Sequence, residues 1–377
     1  MSWLNFLYKV KSSKQPNPDS NISARLFVNY WKLPYKSKYS FKKYSRWLDV
    51  GVILDGISEN IEEVAICLPF KVKKEDIEDL SRYVKDDNLV SHILKEKYVR
   101  HALPKTPAYH RLEVQDRVQD NAKDNEPLYL YEICDESKSV KDLHEGSAFF
   151  LKILSDPIDP TKIKESPDDK SSEPRKYSLY FHFRVNNLSE TDLSHNENIS
   201  NDLVQSAFSK SEMVDILFND LTNLDHSDHQ ILMNEYQLLT LSNVDFAFIG
   251  SSEDETVIGN KPFDDCELLE PKIWGDYTKG INPDGKKCIA YHWILPNKPW
   301  KVFFKTVYSS RQGWKIVKYS FYVFLLSFLA SLFLDCCKWV CAKFKDKDPS
   351  STETPAPSPA TDTTSTNIPV LKSPTSE

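Results

Sequence analysis

Two stretches of this sequence bring together side chains that could do chemistry. Residues 225–229, DHSDH, form the only dense histidine and aspartate cluster, and two imidazoles three residues apart could meet a zinc ion on a helical face. No third ligand with recognisable spacing follows, so a polar loop is the alternative. Tyr180, His182 and Arg184 alternate along a predicted strand. They could line a catalytic cleft with His292, or form a hydrogen-bonded, half-exposed sheet face.

Nucleotide-binding and hydrolase motifs are missing from the chain. It has only nine glycines and contains no GxGxxG, GxxxxGK[ST] or GxSxG segment. His144 and Glu145 begin like the zinc-protease motif HExxH, but Ala148 stands where the second histidine would be. We therefore expect no cofactor and no bound metal. A non-enzymatic protein is favoured, and a membrane-tethered hydrolase or nuclease with an unfamiliar site is the alternative.

Basic and aromatic residues interleave in two segments of a chain whose net charge is −7. Residues 31–47 hold six basic residues, six aromatic residues and no acid, and residues 298–318 also hold six basic residues and no acid. Such segments suit anionic lipid headgroups, and they also suit single-stranded nucleic acid, which the acidic balance disfavours as a partner. For the first segment, a strand with inward rings and solvated lysines is the alternative. The predicted anionic-lipid or phosphate contacts are Lys32, Lys36, Lys38, Lys42, Lys43, Arg46, Lys301, Lys305, Arg311, Lys315 and Lys318.

The strongest signal is an apolar run near the C-terminus. Residues 316–334 contain a single charge, Lys318, and nineteen helical residues extend about 28 Å, close to the thickness of a bilayer core. Asp335 and Lys338 follow the run. No polar stripe recurs every 3.6 residues, as it would on a core helix of a soluble protein. The run therefore predicts a transmembrane helix.

The position of this helix predicts a tail-anchored topology. The apolar stretch of residues 3–8 is too short for a signal peptide, so we expect the preceding chain to remain in the cytoplasm. Residues 345–377 are rich in Pro, Ser and Thr, which predicts a disordered tail. Within residues 1–20, apolar side chains at helical spacing suggest a short interfacial helix, with packing against the soluble body as the alternative.

Seven cysteines show no CxxC pair in the soluble part, which favours free thiols in a reducing compartment. Cys336, Cys337 and Cys341 cluster at the far membrane edge, where acylation or cross-linking of two copies are both open. Ser327 and Ser331 form a small-xxx-small pair, which would permit self-association of the helix.

The soluble part is predicted to be strand-rich α+β with two lobes, residues 21–154 and 177–312, joined by a proline-rich linker at 155–176. Alternating apolar residues predict strands at 48–54, 64–68, 129–133, 179–185, 238–249 and 289–295. Helical spacing predicts helices at 74–85, 89–94 and 262–277.

Taken together, these patterns predict a C-terminally anchored, single-pass membrane protein. Its cytoplasmic domain is expected to bind a protein or small-molecule partner at the inner leaflet as a sensor, scaffold or membrane effector, with cellular defence among the compatible roles. A chain with 12% aromatic residues and 40% hydrophobic residues has ample material for a buried core.

Overall fold

The structure, a computed structural model, describes residues 2–11, 22–36, 42–57, 61–83, 87–94, 98–102, 109–114, 127–154, 176–197, 209–252, 255–259, 261–282, 285, 287–309 and 313–345. The chain falls into two compact units. Met1–Gly313, called the body below, is the first unit, and Trp314–Glu377 is the second.

The body consists mainly of strands. Its strands are β1 Ser2–Val10, β2 Ser23–Lys36, β3 Lys42–Ile57, β4 Ile61–Leu68, β5 Ile77–Asp79, β6 Tyr98–Ala102, β7 Tyr109–Val114, β8 Leu128–Tyr131, β9 Lys138–Asp142, β10 Ser147–Lys152, β11 Tyr177–Val185, β12 Ser194–Glu197, β13 Ser209–Phe218, β14 Gln237–Leu238, β15 Thr240–Ser251, β16 Glu255–Ile258, β17 Asp265–Leu269, β18 Cys288–Leu295 and β19 Lys301–Ser309. Its helices are α1 Asp87–Leu94, α2 His226–Glu235 and α3 Pro271–Thr278, with 3₁₀ turns at Lys74–Asp76 and Leu221–Asn223.

The described strands form two sheets. Sheet 1 has the order β16-β19-β13-β1-β4-β10-β9, with β12 beside β13 and β14 beside β1. Sheet 2 has the order β17-β18-β15-β2-β3-β11-β8-β7-β6, with β5 beside β11. Neighbouring strands are antiparallel except for three parallel pairs, β1 with β13, β2 with β15 and β8 with β11.

The main core lies between the two sheets. Leu4 and Phe6 of sheet 1 and Val28, Val50 and Phe183 of sheet 2 are all fully buried in one apolar cluster. Because side chains alternate along a strand, every second residue of these strands faces this core and the residues between face outward. The two sheets therefore pack face to face as a sandwich.

Helices cover the outer faces of both sheets. On sheet 2, Ile93 of α1 and Trp274 of α3 pack in one apolar cluster with Trp31 of β2. On sheet 1, Leu232 of α2 packs with Trp3 of β1. The body thus has a helix, sheet, sheet, helix order of layers.

All of α4, Gly313–Lys345, except its first residue belongs to the second unit. Its segment Val317–Lys343 has a mean hydropathy of 1.9, and none of its most apolar window is buried. It is the one helix of the described chain that is long and apolar enough to cross a membrane. The helix predicted at 316–334 is therefore confirmed, and it continues to Lys345. The remainder of the predicted tail, 346–377, lies outside the described residues.

The strand-rich α+β prediction is confirmed, including the strands predicted within β3, β4, β11, β15 and β18. The predicted division into lobes does not correspond to the strand pairing. β2 of the first predicted lobe pairs with β15 of the second, and β3 pairs with β11. Most of the predicted linker, 155–175, lies outside the described residues.

Two helix predictions were wrong in whole or in part. In place of the first half of the predicted helix 74–85, the structure has a 3₁₀ turn followed by β5. Ile77 packs in the core between the sheets, whereas Leu80 packs under the helices. The two side chains therefore cannot lie on one face of a helix. Within 262–277, β17 precedes α3, which begins only at Pro271. Of the two alternatives for residues 1–20, packing against the body holds for the described part, because Ser2–Val10 forms the buried strand β1; residues 12–20 lie outside the described residues.

Candidate functional site

A carboxylate buried on the outer face of sheet 2 organises the first polar cluster. Asp49 is fully buried, and its Oδ1 accepts a hydrogen bond from Arg184 Nε at 2.6 Å. Its Oδ2 accepts from Arg184 Nη2 at 2.9 Å, Trp31 Nε1 at 2.6 Å and Tyr277 Oη at 2.7 Å. We call Asp49, Arg184, Trp31, Tyr277, His182 and Tyr180 the Asp49 cluster.

Strand register places the charged pair of this cluster. Arg184 on β11 lies directly opposite Asp49 on β3, and His182 lies opposite Gly51. A side chain at position 51 would come within 3.2 Å of the Tyr180 ring, so glycine leaves the room that the tyrosine occupies. The Tyr277 ring of α3 lies 4.9 Å from the Arg184 guanidinium carbon. The cluster is thus enclosed by sheet 2 below and α3 above.

His182 lies between two tyrosine hydroxyls. Its Nδ1 is 3.2 Å from Tyr180 Oη, and its Nε2 is 3.5 Å from Tyr277 Oη. Because the Tyr277 hydroxyl donates its proton to Asp49, Nε2 is the donor toward Tyr277, and Nδ1 accepts from Tyr180. Burial, together with the Arg184 charge, lowers the pKa of His182 to about 4, although the Asp49 charge opposes the shift. The imidazole is therefore neutral near pH 7.

The alternative of a catalytic cleft depended on Tyr180, His182, Arg184 and His292. The structure brings the first three together in hydrogen bonds, as the alternative of a sheet face expected, but the face is buried and not half-exposed. His292 lies on β18, with its Nε2 3.5 Å from Glu267 Oε1, and lines a small cavity of about 30 Å³ with Trp274. The Asp49 cluster satisfies its own hydrogen bonds, which is the pattern of a stabilising network.

A second carboxylate, Glu212, joins the two sheets inside the core. It lies on β13 of sheet 1 and is fully buried, and its Oε2 is 2.8 Å from Lys32 Nζ of β2 and 3.1 Å from Arg46 Nη2 of β3. Tyr30 Oη donates to Glu212 Oε1 at 3.2 Å, and Ser194 Oγ donates to the same oxygen. We call these five residues the Glu212 cluster.

The charges of the Glu212 cluster are strongly coupled. Burial alone would raise the pKa of the Glu212 carboxyl, but Lys32 and Arg46 outweigh burial and lower it to about 2. Lys32 Nζ also donates to Thr306 Oγ1 at 3.3 Å. Sequence reasoning missed Glu212, because its partners lie far away in the chain and nothing in the local pattern marks it.

Two of the predicted lipid contacts are corrected by this arrangement. The side chains of Lys32 and Arg46 are each only 1% exposed. They face inward because Tyr30, Lys32, Arg46 and Leu48 alternate on the core side of β2 and β3. Neither cation can reach a headgroup or phosphate while paired with Glu212 between the sheets.

The other predicted contacts have different surroundings. Lys301 is half-buried, with its Nζ 3.2 Å from Asp215 Oδ1, Lys305 is half-buried, and Lys318 is exposed on α4. Lys38 and Arg311 lie outside the described residues, and so do the side chains of Lys36, Lys42, Lys43 and Lys315. For these residues lipid contact stays a prediction.

Residues 225–229, for which a zinc site and a polar loop were the two alternatives, lie at the start of α2. Asp225 caps this helix, with its Oδ1 accepting from the Ser227 backbone N–H at 2.9 Å, and Asp228 accepts from the His144 backbone N–H at 2.7 Å. Among the described residues, no group of three or more His, Cys, Asp or Glu side chains could hold a metal ion. The aspartates act here as helix and loop acceptors.

A groove of about 300 Å³ runs beside α2 on the outer face of sheet 1. We call it the Tyr236 groove. Its lining residues are Glu63, Ser139, Lys141, Leu143, Phe150, Asp228, Ile231, Leu232, Glu235 and Tyr236. Phe150 lies between Ser139 and Ala65 in the strand register, and these small neighbours leave the depression open. The Tyr236 hydroxyl donates to Glu63 and its ring centroid lies 5.7 Å from that of Phe150.

No model of a known protein family matches this sequence, and a search of curated proteins likewise found no match. The geometry of the chain itself therefore carries the functional argument.

Proposed function

We propose that this chain is a single-pass membrane protein anchored by α4. In this proposal the body lies on the cytoplasmic side and binds a protein partner at the inner leaflet, as a sensor, scaffold or membrane effector. The observation that carries the proposal is the exposure of a long apolar helix.

The exposed helix is unlike the helices of the body. Phe324 and Phe333 are 71% and 70% exposed, whereas α1, α2 and α3 each bury an apolar side against a sheet. Soluble proteins rarely expose contiguous apolar patches larger than a few hundred Å². A lipid environment would solvate this surface, and 27 helical residues extend about 40 Å, enough to span a bilayer core with its edges.

Both ends of α4 carry side chains suited to the bilayer interface. Lys318 Nζ lies 5.8 Å from the Tyr322 ring centroid, and Lys343 Nζ lies 4.7 Å from that of Trp339. Lysines and amphipathic rings near helix ends anchor a span at the headgroup level. Between these anchors the helix has no aspartate, glutamate, lysine or arginine up to Asp335.

The orientation is supported by the thiols of the body. Cys67 and Cys288 are buried, and the described residues of the body contain no disulfide. Thiols that form no disulfide suit a reducing compartment.

Membrane integration is tested by carbonate extraction of the full chain from cell membranes. We expect the wild type to stay in the pellet, and the double variant Leu326→Arg and Leu329→Arg to move to the supernatant. Each arginine near the helix centre costs about 2.5–3.5 kcal/mol on insertion. The matched control, Ser320→Arg with Ala342→Arg, adds the same charge near the helix ends and stays in the pellet. A wild type washed off by carbonate would refute the anchor.

The orientation is tested separately by protease protection in sealed vesicles of known sidedness. The body should resist trypsin when the cytoplasmic side faces inward and should be cleaved once detergent opens the vesicles. Cleavage before detergent is added would place the body on the opposite side.

A further inference from the structure

We propose that the Tyr236 groove binds a basic peptide segment of a partner protein. An apolar side chain of the segment lies on the floor of the groove, and lysine or arginine side chains meet the carboxylates of its rim. This inference rests on the proposed binding function and specifies the chemistry of the partner.

The floor of the groove provides apolar surface that the body leaves uncovered. Ile231 on α2 is 52% exposed, and Phe150 on β10 is half-buried beside it in the lining. Leu143 and Leu232 close the floor below them. A cavity of about 300 Å³ falls at the lower end of the range for ligand pockets, and it would accommodate one or two large side chains.

The rim of the groove determines the sign of the occupant's charge. Three carboxylates, Glu63, Asp228 and Glu235, line the groove. Lys141 is the one basic residue among the described lining residues, and Lys9 beside the groove pairs with Glu235, so one negative charge remains in excess at the rim. Carboxylates repel phosphates, so anionic headgroups and nucleic acids are disfavoured here. Cationic side chains are attracted, and complementary charge also speeds the encounter with a partner.

An ammonium group of the body already shows how the rim holds a cation. Lys9 Nζ lies 3.0 Å from Glu235 Oε2 and 5.8 Å from the Tyr236 ring centroid. The pKa of Lys9 is raised, chiefly by its hydrogen bond to Glu235, with Glu62 and Glu63 adding to the effect. This corner of the groove therefore stabilises positive charge next to an aromatic face.

The apolar floor distinguishes a peptide from a free polyamine. A polyamine would pair with the carboxylates of the rim but would leave the Ile231 side chain exposed to water. A peptide with alternating basic and apolar side chains covers both features at once, because its side chains reach rim and floor together.

The test measures fluorescence anisotropy of a labelled KLKFK peptide against the full chain in phosphatidylcholine nanodiscs, with empty nanodiscs as background. The matched probe, ELEFE, has the same apolar residues and opposite charge. We expect saturable binding of KLKFK that weakens as salt is raised, and no saturable binding of ELEFE.

Variants then locate the site. Ile231→Ser removes exposed apolar surface, and Asp228→Asn with Glu235→Gln removes two rim charges; each should weaken KLKFK binding by about tenfold. The controls are Leu268→Ser, which removes an equally exposed leucine from sheet 2, and Asp276→Asn on α3. Both controls should bind like the wild type, and thermal unfolding should show that all variants remain folded.

The outcomes separate this inference from the proposed function. Equal binding of KLKFK and ELEFE, unchanged binding by Ile231→Ser, or an equal loss with Leu268→Ser would overturn the groove proposal. Carbonate extraction of the same preparations reports on the anchor alone. If the protein remains in the pellet but does not bind KLKFK, the groove proposal is refuted and the membrane anchor is still supported.

Discussion

Arg184 and Asp49 face each other on adjacent strands and form a two-point ion pair that no solvent reaches. The guanidinium donates from Nε and Nη2 to the two carboxylate oxygens, and the side chains are 2% and 0% exposed. Burial tends to lower the pKa of Arg184, but the Asp49 charge and hydrogen bonds reverse this and raise it. Trp31 and Tyr277 complete the shell of the carboxylate, so β2, β3, β11 and α3 all meet at one residue.

Removing the cation of this pair should destabilise the body strongly. Arg184→Met leaves Asp49 as a buried charge with fewer partners, and breaking such a pair costs about 3–5 kcal/mol. We expect a loss of this size in the free energy of unfolding, measured by urea titration with tryptophan fluorescence.

The control for this prediction is Arg25→Met in the same sheet. Arg25 Nε lies 2.8 Å from Asp55 Oδ2, but the two side chains are 38% and 24% exposed. Partly exposed pairs contribute about 0–1 kcal/mol, so this variant should remain near wild-type stability. Equal losses in the free energy of unfolding for Arg184→Met and Arg25→Met would contradict the prediction that the buried pair contributes more to stability than the partly exposed pair.

Glu212 predicts a loss of stability in acid. Its pKa is about 2 in the folded body and 4.5 in an unfolded chain, so its ionised form stabilises the fold fully above pH 4.5. This contribution, roughly 3 kcal/mol, should disappear as the pH falls from 4.5 toward 2. Glu212→Gln should be less stable than the wild type at pH 7 and should show a flatter stability profile below pH 4.5. If the stability of the wild type and of Glu212→Gln fell in parallel below pH 4.5, the acid-induced loss could not be assigned to Glu212.

His182 predicts a separate effect at higher pH. Its folded pKa of about 4 lies below the ordinary 6.5, so the unfolded chain takes up a proton first as the pH falls. Stability linked to this residue is therefore complete above pH 6.5 and is lost between pH 6.5 and 4. His182→Gln cannot titrate, and its melting temperature should fall less than that of the wild type between pH 7 and 5. The control is His226→Gln, at an exposed position on α2, which removes a histidine outside the Asp49 cluster.

The body thiols should differ in reactivity with maleimide. Cys266 is exposed, whereas Cys67 is buried and burial raises its pKa to about 12. In a variant with Cys336, Cys337 and Cys341 replaced by alanine, we expect Cys266 to react in the native protein and Cys67 only after denaturation. Burial and the neighbouring Asp265 and Glu267 also raise the pKa of Cys266. The rate at which Cys266 reacts with maleimide should therefore increase with pH. Rapid labelling of Cys67 in the native protein, located by mass spectrometry of its peptide, would contradict this order.

The sequence was informative wherever one face of a strand is uniformly apolar. The alternation in β11 assigned Phe181 and Phe183 to one side and His182 and Arg184 to the other, and the structure confirms both faces. Alternation could not show that α3 covers the polar face, because that helix lies about 90 residues further along the chain.

The buried cations were beyond prediction for the same physical reason. Lys32 and Arg46 occur in a run of basic residues that looks like a solvated surface, and their burial is compensated by Glu212 on the opposite sheet. In β1, both faces of the strand are buried, so its apolar pattern lost the period of two and resembled a helix. Long-range pairing decided each of these cases.

The central place of β1 in sheet 1 has a consequence for the timing of folding. Its parallel neighbour is β13, in which Ile216 pairs with Ser2 although it lies roughly 200 residues downstream. In a growing polypeptide, β1 therefore has no partner on that side until most of the body has been synthesised. During this interval an open strand edge is available to other chains. Proteolytic or premature fragments that stop before β13 would keep that edge permanently, and they should be the species that aggregate and are cleared by quality control.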